Sequence, residues 1–590
     1  MISTIEMKKY LFLITFFGVQ QITAQAFLNK SKQATKWVDS VFKTLNADEK
    51  IAQLIIIRAH SNLGQDHIDK VVEQIKKYNV GGLCFFQGGP VRQANLTNYY
   101  QSIAKTPLLV TMDAEWGIGM RLDSVILFPK NMMLGAMQNN ELVYKIGKAV
   151  GKQCKRMRVH LNYAPVVDVN NNPNNPVIND RSFGEDKNKV SNYATQYSKG
   201  LQSEGVMACA KHFPGHGDVA VDSHLDLPVV NKSIKQLTSL ELFPFAQQIK
   251  NNVGCMMMAH LAIPALDTTA HLPTSLSKKV VTGLLKNKMG FKGLIITDGL
   301  EMKGITKYFS SGDIAAQAII AGNDLLCLPE QTDSSILKIK QAIKEKRLSQ
   351  KAVDASIKKI LLAKYNLGLN KPQSIITKKL VEDLNNNSNH LIGEIAENAI
   401  TIVKQANKKM IPMVNMMQPL DVLPRVAHII IGNGKENDFA KRMQQDYHSD
   451  AYFFSNSFAA TFRVRDSIEP RATIVNAESQ EKFENAKGII DSCTKLKKYD
   501  VVIISVHQYN RRPANNFGLD SAAVYLMQQL SQNNNAMFLF FGNPYAIKNI
   551  SSAQNIIACY DDDAIVQNKA ADLLQGKFKA KGKLPVSVCE

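Results

Sequence analysis

Short apolar runs recur between residues 50 and 330, and longer stretches of mixed polarity separate them. The eight runs are Gln53–Ile57, Val80–Phe86, Leu108–Met112, Val159–Tyr163, Val206–Ala210, Val253–Met258, Leu294–Thr297 and Asp324–Leu328. Such runs are typical of parallel strands covered on both faces by helices. Any single run also fits a buried helix segment, so the prediction depends on their number and spacing. Eight such units over about 280 residues predict an α/β fold, a (β/α)8 barrel like that of triosephosphate isomerase.

A second pattern of the same kind follows a polar, asparagine-rich segment. The later apolar runs are Val426–Ile431, Val501–Ser505 and Met537–Phe541, and helix-like stretches separate them. They predict a smaller αβα sandwich. We therefore expect a barrel over residues 27–370, a linker over 371–394 and the second domain over 395–590.

The first 26 residues predict a secretory signal peptide. Lys8 and Lys9 precede the apolar run Tyr10–Phe17, and a small-residue cleavage site follows at Ala24–Ala26. A buried N-terminal helix is the alternative. No cysteine lies near the cleavage site, so a lipid anchor is not expected. We expect an exported, periplasmic protein.

Composition and charge narrow the function classes. Hydrophobic residues make up 45% of the chain and charged residues 21%, as in ordinary globular proteins. The net charge of +20 is dispersed without a long basic block, so nucleic-acid binding is not expected. No apolar run reaches the roughly 20 residues of a membrane span. The eight cysteines are scattered and form no C-x-x-C pair, which favours buried free thiols over a structural zinc site. The oligomeric state is not indicated.

Polar side chains follow several of the predicted barrel strands. They are Asp113 and Glu115 after the third run, Asp168 and Arg181 after the fourth, Lys211 and His212 after the fifth, His260 after the sixth and Asp298 after the seventh. Catalytic groups of such barrels lie at the C-terminal ends of the strands. The sequence therefore predicts a polar pocket that binds a hydrogen-bonding ligand.

The segment Lys211–Asp218, followed by Asp222 and His224, allows three interpretations. Its histidines and carboxylates could bind a metal. Asp222 could instead orient His224 as a general acid and base. Hydrogen bonds that only order the loop are the third interpretation. Asp298 has two alternatives as well, a nucleophile or general base and a helix N-cap, whereas Glu301 is expected to be structural.

Five segments of the chain resemble the β-N-acetylglucosaminidases of glycoside hydrolase family 3. They are Lys211–Gly217 with Asp222-Ser-His224, Asn162–Asn170, Asn179–Asp186, Gly290–Asp298 and the terminal Gly582–Val586. The resemblance covers essentially all of the mature chain. It implies catalysis without a metal or other cofactor.

The resemblance also implies residue roles. Asp298 would be the nucleophile of a retaining, two-step mechanism, and His224 paired with Asp222 would be the general acid and base. The sugar-binding residues would be Asp113, Arg181, Lys211 and His212. Asp168 and His260 would order loops or shape the pocket.

The implied function is release of terminal β-linked N-acetylglucosamine from an oligosaccharide or muropeptide, that is, from chitooligosaccharides or peptidoglycan fragments. The alternatives are a β-glucosidase or β-xylosidase of the same family, a β-N-acetylglucosaminide phosphorylase and a non-catalytic glycan-binding protein. Many relatives carry Asp-x-Glu-Gly-Gly after the third strand. Here Trp116 precedes Gly117, and we expect Trp116 at the rim of the pocket.

Overall fold

The computed structural model describes residues 27–222, 226–416, 422–432, 434–456, 471–494 and 499–588, with only the backbone for 471–479 and 494. The predicted signal peptide, residues 1–26, and His224 lie outside the described residues. Every helix in the described part of the chain is too short or too polar to span a membrane. Seven of the eight cysteines are described, and all seven are buried free thiols, as predicted.

Eight parallel strands form the first sheet. They are β1 (Ile55–Ala59), β2 (Gly82–Phe85), β3 (Leu109–Met112), β4 (Leu161–Asn162), β5 (Met207–Phe213), β6 (Cys255–Met258), β7 (Leu294–Thr297) and β8 (Leu326–Cys327). Their order is β7-β6-β5-β4-β3-β2-β1-β8. A bridge between Ile296 and Leu325 brings β7 next to β8, so the sheet is nearly closed. The predicted barrel is confirmed.

Helices surround this barrel and cover its buried strands. They are α1 (Lys32–Thr44), α2 (Ala47–Ala52), α3 (Gln65–Tyr78), α4 (Pro90–Ile103), α5 (Asn131–Ala136), α6 (Glu141–Arg156), α7 (Lys187–Ser203), α8 (Ile234–Ser239), α9 (Leu242–Lys250), a π-helix (Lys279–Lys288), α10 (Lys303–Thr306), α11 (Ser311–Ala321), α12 (Thr332–Lys344) and α13 (Gln350–Asn366). Short 3-10 helices lie at Ile118–Met120, Asn179–Arg181 and Thr274–Leu276. Local signals fix several helix starts. At α2, for example, Asn46 and Glu49 form a reciprocal capping box.

The second domain contains a six-stranded sheet. Its strands are β9 (Thr401–Gln405), β10 (Val426–Gly432), β11 (Asp450–Ser455), β12 (Val501–Val506), β13 (Ala536–Phe540) and β14 (Asn555–Ala558), in the order β11-β10-β12-β13-β14-β9. All pairs are parallel except β14 with β9. The helices around the sheet are α16 (Asp438–Tyr447), α17 (Arg471–Thr494), α18 (Ala514–Phe517), α19 (Ser521–Leu530), α20 (Ala564–Leu574) and two 3-10 helices, Met413–Met416 and Pro544–Ile550. This α/β domain is the smaller sandwich that the sequence predicts.

Two helices occupy most of the segment that was predicted as a linker. They are α14 (Leu380–Asn385) and α15 (Ser388–Ala399). The segment packs on the barrel, since Asp383 pairs with Arg156 at 2.9 Å and Asn385 Oδ1 accepts a 2.8 Å hydrogen bond from the Ile126 amide. The domain boundaries themselves stay a prediction.

The second domain also contacts the long loop between β4 and α7. Asn543 Nδ2 donates to Asn179 Oδ1 at 2.5 Å, and Ser587 Oγ donates to Glu185 Oε1 at 2.6 Å. Gly184 has φ +132°, and a Cβ there would lie 2.3 Å from the carbonyl oxygen of Pro585. Only glycine allows the C-terminal segment this close, so the second domain holds the loop that carries Arg181.

Candidate active site at the mouth of the barrel

The C-terminal ends of β3 and β5 bring three charged side chains together. Lys211 Nζ lies 2.5 Å from Asp113 Oδ1 and 2.7 Å from Glu115 Oε1. The Lys211 side chain is 2% exposed. Burial alone would lower the pKa of Lys211, but the two carboxylates raise it above its usual value. Lys211 is therefore a buried, charged donor.

Arg181 extends this network from the β4–α7 loop. It binds Glu115 with two parallel hydrogen bonds, Nη2 to Oε1 at 2.6 Å and Nε to Oε2 at 3.0 Å. Burial opposes ionisation of Glu115, but Arg181 and Lys211 hold the pKa of Glu115 well below its usual range. Glu115 is thus a fixed anion between two cations.

The predicted sugar-binding residues include neither Glu115 nor Arg121, although Glu115 belongs to the polar cluster predicted at the strand ends. Glu115 stands two residues after Asp113, a spacing that places both side chains on one face of an extended segment. Arg121 donates to Asp113 twice, from Nη2 to Oδ2 at 3.1 Å and from Nε to the carbonyl oxygen at 3.0 Å. Arg121 follows a short 3-10 helix, and nothing in its local sequence indicates this contact.

His212 links the network to Asp168. Its Nδ1 lies 2.7 Å from Asp168 Oδ2, and its Nε2 lies 3.3 Å from Arg181 Nη2. A guanidinium can only donate, so Nε2 accepts and Nδ1 carries the proton toward Asp168. Asp168 also accepts from the His216 amide at 2.7 Å. Burial raises the pKa of Asp168, yet interactions with His212 and His216 lower it overall. Asp168 therefore orients His212.

Asp298 follows β7 directly and faces the same mouth. Burial disfavours its charged form, but His212, His260, the amide of Gly299 and Lys211 lower its pKa to about 2. The Gly299 amide donates to Asp298 Oδ1 at 2.8 Å. The N-cap alternative is wrong, because the next helix, α10, has Met302 at its N-cap. Asp298 is an ionised carboxylate without a helix to cap.

His260 supports the turn after Asp298 from behind. Its Nε2 lies 3.0 Å from the Gly299 carbonyl oxygen and its Nδ1 lies 2.7 Å from Ser275 Oγ. A carbonyl can only accept, so Nε2 carries a proton. His260 is 1% exposed and shapes the turn that presents Asp298.

The loop after β5 is described only in part. Asp222 Oδ2 lies 3.7 Å from Arg512 Nη1, and its side chain is 12% exposed. Asp218 pairs with Lys232 at 2.7 Å, which fits an ordering role. His224 lies outside the described residues, so its pairing with Asp222 stays a prediction. Among the described residues, no three histidine, cysteine or acidic side chains are grouped to hold a metal.

Two arginines and an aromatic ring form one wall of the mouth. The guanidinium carbons of Arg58 and Arg121 lie 3.9 and 4.8 Å from the ring centre of Phe86. Arg58 also pairs with Glu301, which precedes α10. The signal for Arg58 is one charged residue in the otherwise apolar strand β1. Burying such a residue requires a partner.

Trp116 is half-buried and close to two cations. Lys130 Nζ and the guanidinium carbon of Arg511 each lie 5.9 Å from its ring centre. Arg511 belongs to the second domain, so both domains contribute to the surroundings of Trp116.

Comparisons with known proteins agree with this architecture. Beta-hexosaminidase A of Pseudoalteromonas piscicida is 29% identical over 565 residues, which cover 88% of this chain and 90% of that protein. The solved structure of a glycoside hydrolase family 3 beta-N-acetylglucosaminidase from Paenibacillus sp. str. FPU-7 has a TM-score of 0.73 at 24% identity, covering 92% of this chain and 99% of the other. Beta-glucoside phosphorylase BglX bound to 2FGlc has a TM-score of 0.78 at 22% identity, covering 95% and 98%. At these identities the two structures show the shared fold.

The family follows from a match to more than half of the chain. Residues 46–363, which include all eight strands of the barrel, match the glycosyl hydrolase family 3 N terminal domain. The chain therefore belongs to glycosyl hydrolase family 3 and is a glycoside hydrolase.

Proposed function

We propose that the protein is an exported, retaining exo-β-N-acetylglucosaminidase. Its substrates are peptidoglycan fragments or chitooligosaccharides with a terminal β-linked N-acetylglucosamine. The observation that carries the proposal is the ionised Asp298 beside the charged network of Lys211, Arg181 and Glu115. The β-hexosaminidase from P. piscicida, which matches along most of its length, supports the sugar specificity.

The buried network suits a sugar ring. Asp113 can accept hydrogen bonds from ring hydroxyls, while Lys211 and Arg181 can donate to them. The Asp113 side chain is 26% exposed, so it can still be reached from the mouth. A site of this kind discriminates strongly between sugars, because a missing hydroxyl leaves a buried charged group without its partner.

In the first chemical step, a carboxylate oxygen of Asp298 attacks the anomeric carbon. The bond from that carbon to the leaving-group oxygen breaks, and His224 gives this oxygen a proton. In the second step, His224 removes a proton from water, and the water oxygen displaces Asp298. Two displacements retain the β configuration. Asp222 orients the imidazole for both proton transfers.

The fixed charges favour this assignment of roles. An ionised carboxylate is a competent nucleophile, whereas a group with a pKa near 2 cannot protonate the leaving oxygen near neutral pH. The proton must therefore come from another group, and Asp222 lies on the loop that carries His224. The predicted leader, residues 1–26, supports export to the periplasm, where wall fragments are available.

The test compares nitrophenol release from the β-N-acetylglucosaminide and the β-glucoside by purified mature protein in phosphate-free buffer. We expect strong preference for the acetylated sugar and a product that first appears as the β-anomer. Preference for the glucoside would overturn the assigned specificity. Turnover that requires phosphate and yields sugar 1-phosphate would identify a phosphorylase, and silence on every substrate would favour a glycan-binding protein.

A further inference from the structure

The second domain contributes two adjacent arginines to the surroundings of the barrel mouth. Both follow β12, at the C-terminal edge of the second sheet. Arg511 Nη1 lies 3.7 Å from Asp180 Oδ1, next to Trp116, and Arg512 Nη1 lies 3.7 Å from Asp222 Oδ2. The arginines therefore approach the barrel at the loop with Arg181 and at the loop with Asp222.

The backbone of this pair is held in place by the barrel. Asn543 Nδ2 donates to the carbonyl oxygen of Arg511 at 2.8 Å and to Asn179 Oδ1 at 2.5 Å. Tyr509 OH donates to the carbonyl oxygen of Asn543 at 2.9 Å. Asn543 thus connects the Arg511 backbone to the β4–α7 loop. The position of the Arg511 and Arg512 side chains therefore depends on packing between the domains.

Both guanidinium groups retain the capacity to bind an anion. The Arg511 and Arg512 side chains are 38% and 51% exposed. Their closest approaches to the two aspartates, at 3.7 Å, are longer than a hydrogen bond, and each guanidinium carries five N–H donors. Asp180 is already paired more closely, at 2.8 Å, with Lys130. A planar fork of donors matches the geometry of a carboxylate.

The position of Arg512 next to Asp222 indicates which part of a bound substrate Arg512 would contact. This step rests on the proposed function. The dyad of Asp222 and His224 would act on the oxygen between the terminal sugar and the leaving group. The terminal sugar occupies the buried side, with Lys211 and Arg181. Groups beside Asp222 on the exposed side therefore face the leaving group.

We propose that Arg511 and Arg512 form a subsite for a carboxylate on the leaving group, so that the enzyme prefers acidic leaving groups to neutral ones. The subsite depends on the second domain, and a barrel without that domain would lack it. Among the two candidate substrate classes, this favours wall fragments, whose second sugar carries a carboxylate, over chitooligosaccharides, whose sugars are all neutral.

The experiment measures kcat/KM for two disaccharides with the same terminal sugar. The acidic one is N-acetylglucosaminyl-β-1,4-N-acetylmuramic acid, and the neutral one is diacetylchitobiose. We expect Arg511→Gln and Arg512→Gln each to lower the acidic-to-neutral ratio about threefold, and the double variant about tenfold. Raising the ionic strength from about 0.05 to 0.5 M should lower the ratio in the wild type but not in the double variant.

Arg425→Gln is the matched control, because it removes the same charge at the opposite edge of the second sheet. Arg425 precedes β10 and pairs with Asp500 at 3.3 Å. Any effect of Arg512→Gln through Asp222 would slow both disaccharides alike and cancel in the ratio. An unchanged ratio in the double variant, or an equal change in Arg425→Gln, would overturn the subsite. A wild type that hydrolyses neither disaccharide nor the aryl glycoside would overturn the proposed function, and the subsite with it.

Discussion

Lys211 and Glu115 form a 2.7 Å ion pair in which each side chain is only 2% exposed. Arg181 and Asp113 complete it, so the pair belongs to a set of charges that are satisfied only together. Such a set is costly to bury and is held by the surrounding barrel. Lys211 of this set and the adjacent His212 both lower the pKa of Asp298.

Replacing Glu115 with Gln should destabilise the fold. The variant leaves Lys211 and Arg181 buried without their shared counter-ion, and breaking a buried pair costs about 3–5 kcal/mol. Urea unfolding of wild type and variant measures the change. Glu301→Gln is the control, since its pair with Arg58 is about one-third exposed and worth less than about 1 kcal/mol. If both substitutions lowered the free energy of unfolding equally, Glu115 would not be the shared counter-ion of a buried network.

Because of Lys364, the free energy of unfolding should increase as the pH rises above neutrality. Its amine is fully buried and donates to Gln53 Oε1 at 2.7 Å, and burial lowers its pKa from 10.5 to about 7. Between these values the unfolded chain binds a proton that the folded chain does not. Stability therefore rises with pH from about 7 to 10.5, by a few kcal/mol.

Urea unfolding at pH 7 and pH 10 measures this Lys364 effect. Lys364→Met should abolish the rise, whereas Lys351→Met, an exposed lysine on the same helix, should keep it. A rise of equal size in Lys364→Met would show that other groups are responsible.

Replacing Gly184 with Ala should disturb the site from a distance. The added Cβ would meet the carbonyl oxygen of Pro585 at 2.3 Å and would also strain a backbone with φ +132°. We expect a loss of about 1–3 kcal/mol in stability and a lower kcat/KM, because Arg181 lies on the same loop. Gly205→Ala is the control, since Gly205 has φ +80° and nothing within 4 Å of the added Cβ. If Gly205→Ala lowered kcat/KM as much as Gly184→Ala, the contact between Gly184 and the C-terminal segment would have no specific role.

The barrel could be predicted because its strands are buried and most of them coincide with short, mainly apolar runs. β11 was missed for the opposite reason. It lies at the edge of the second sheet, and most of its side chains are exposed or half-exposed. Its sequence therefore contains no apolar run that would predict a strand. β9 is also largely half-exposed.

The sequence predicts the part of the site that lies at the C-terminal ends of the barrel strands. Lys211, His212, Asp113 and Asp298 directly follow or end apolar strands, and the structure places them at one mouth. The residues that contact these side chains could not be identified from the sequence. Arg121 reaches Asp113 from beyond a 3-10 helix, and Arg511 and Arg512 come from a sheet about 300 residues away in sequence. Those contacts depend on tertiary packing, which strand periodicity does not encode.

The proposed mechanism requires that Asp298 becomes covalently bound to the sugar. The direct measurement is mass spectrometry of the peptide that contains Asp298, after incubation with a fluorinated N-acetylglucosaminyl fluoride, which slows the second step more than the first. We expect a peptide heavier by one fluorinated glycosyl group, attached at Asp298, and no such adduct in Asp298→Ala. An unmodified peptide from an enzyme that releases the inverted α-anomer would rule out Asp298 as the nucleophile.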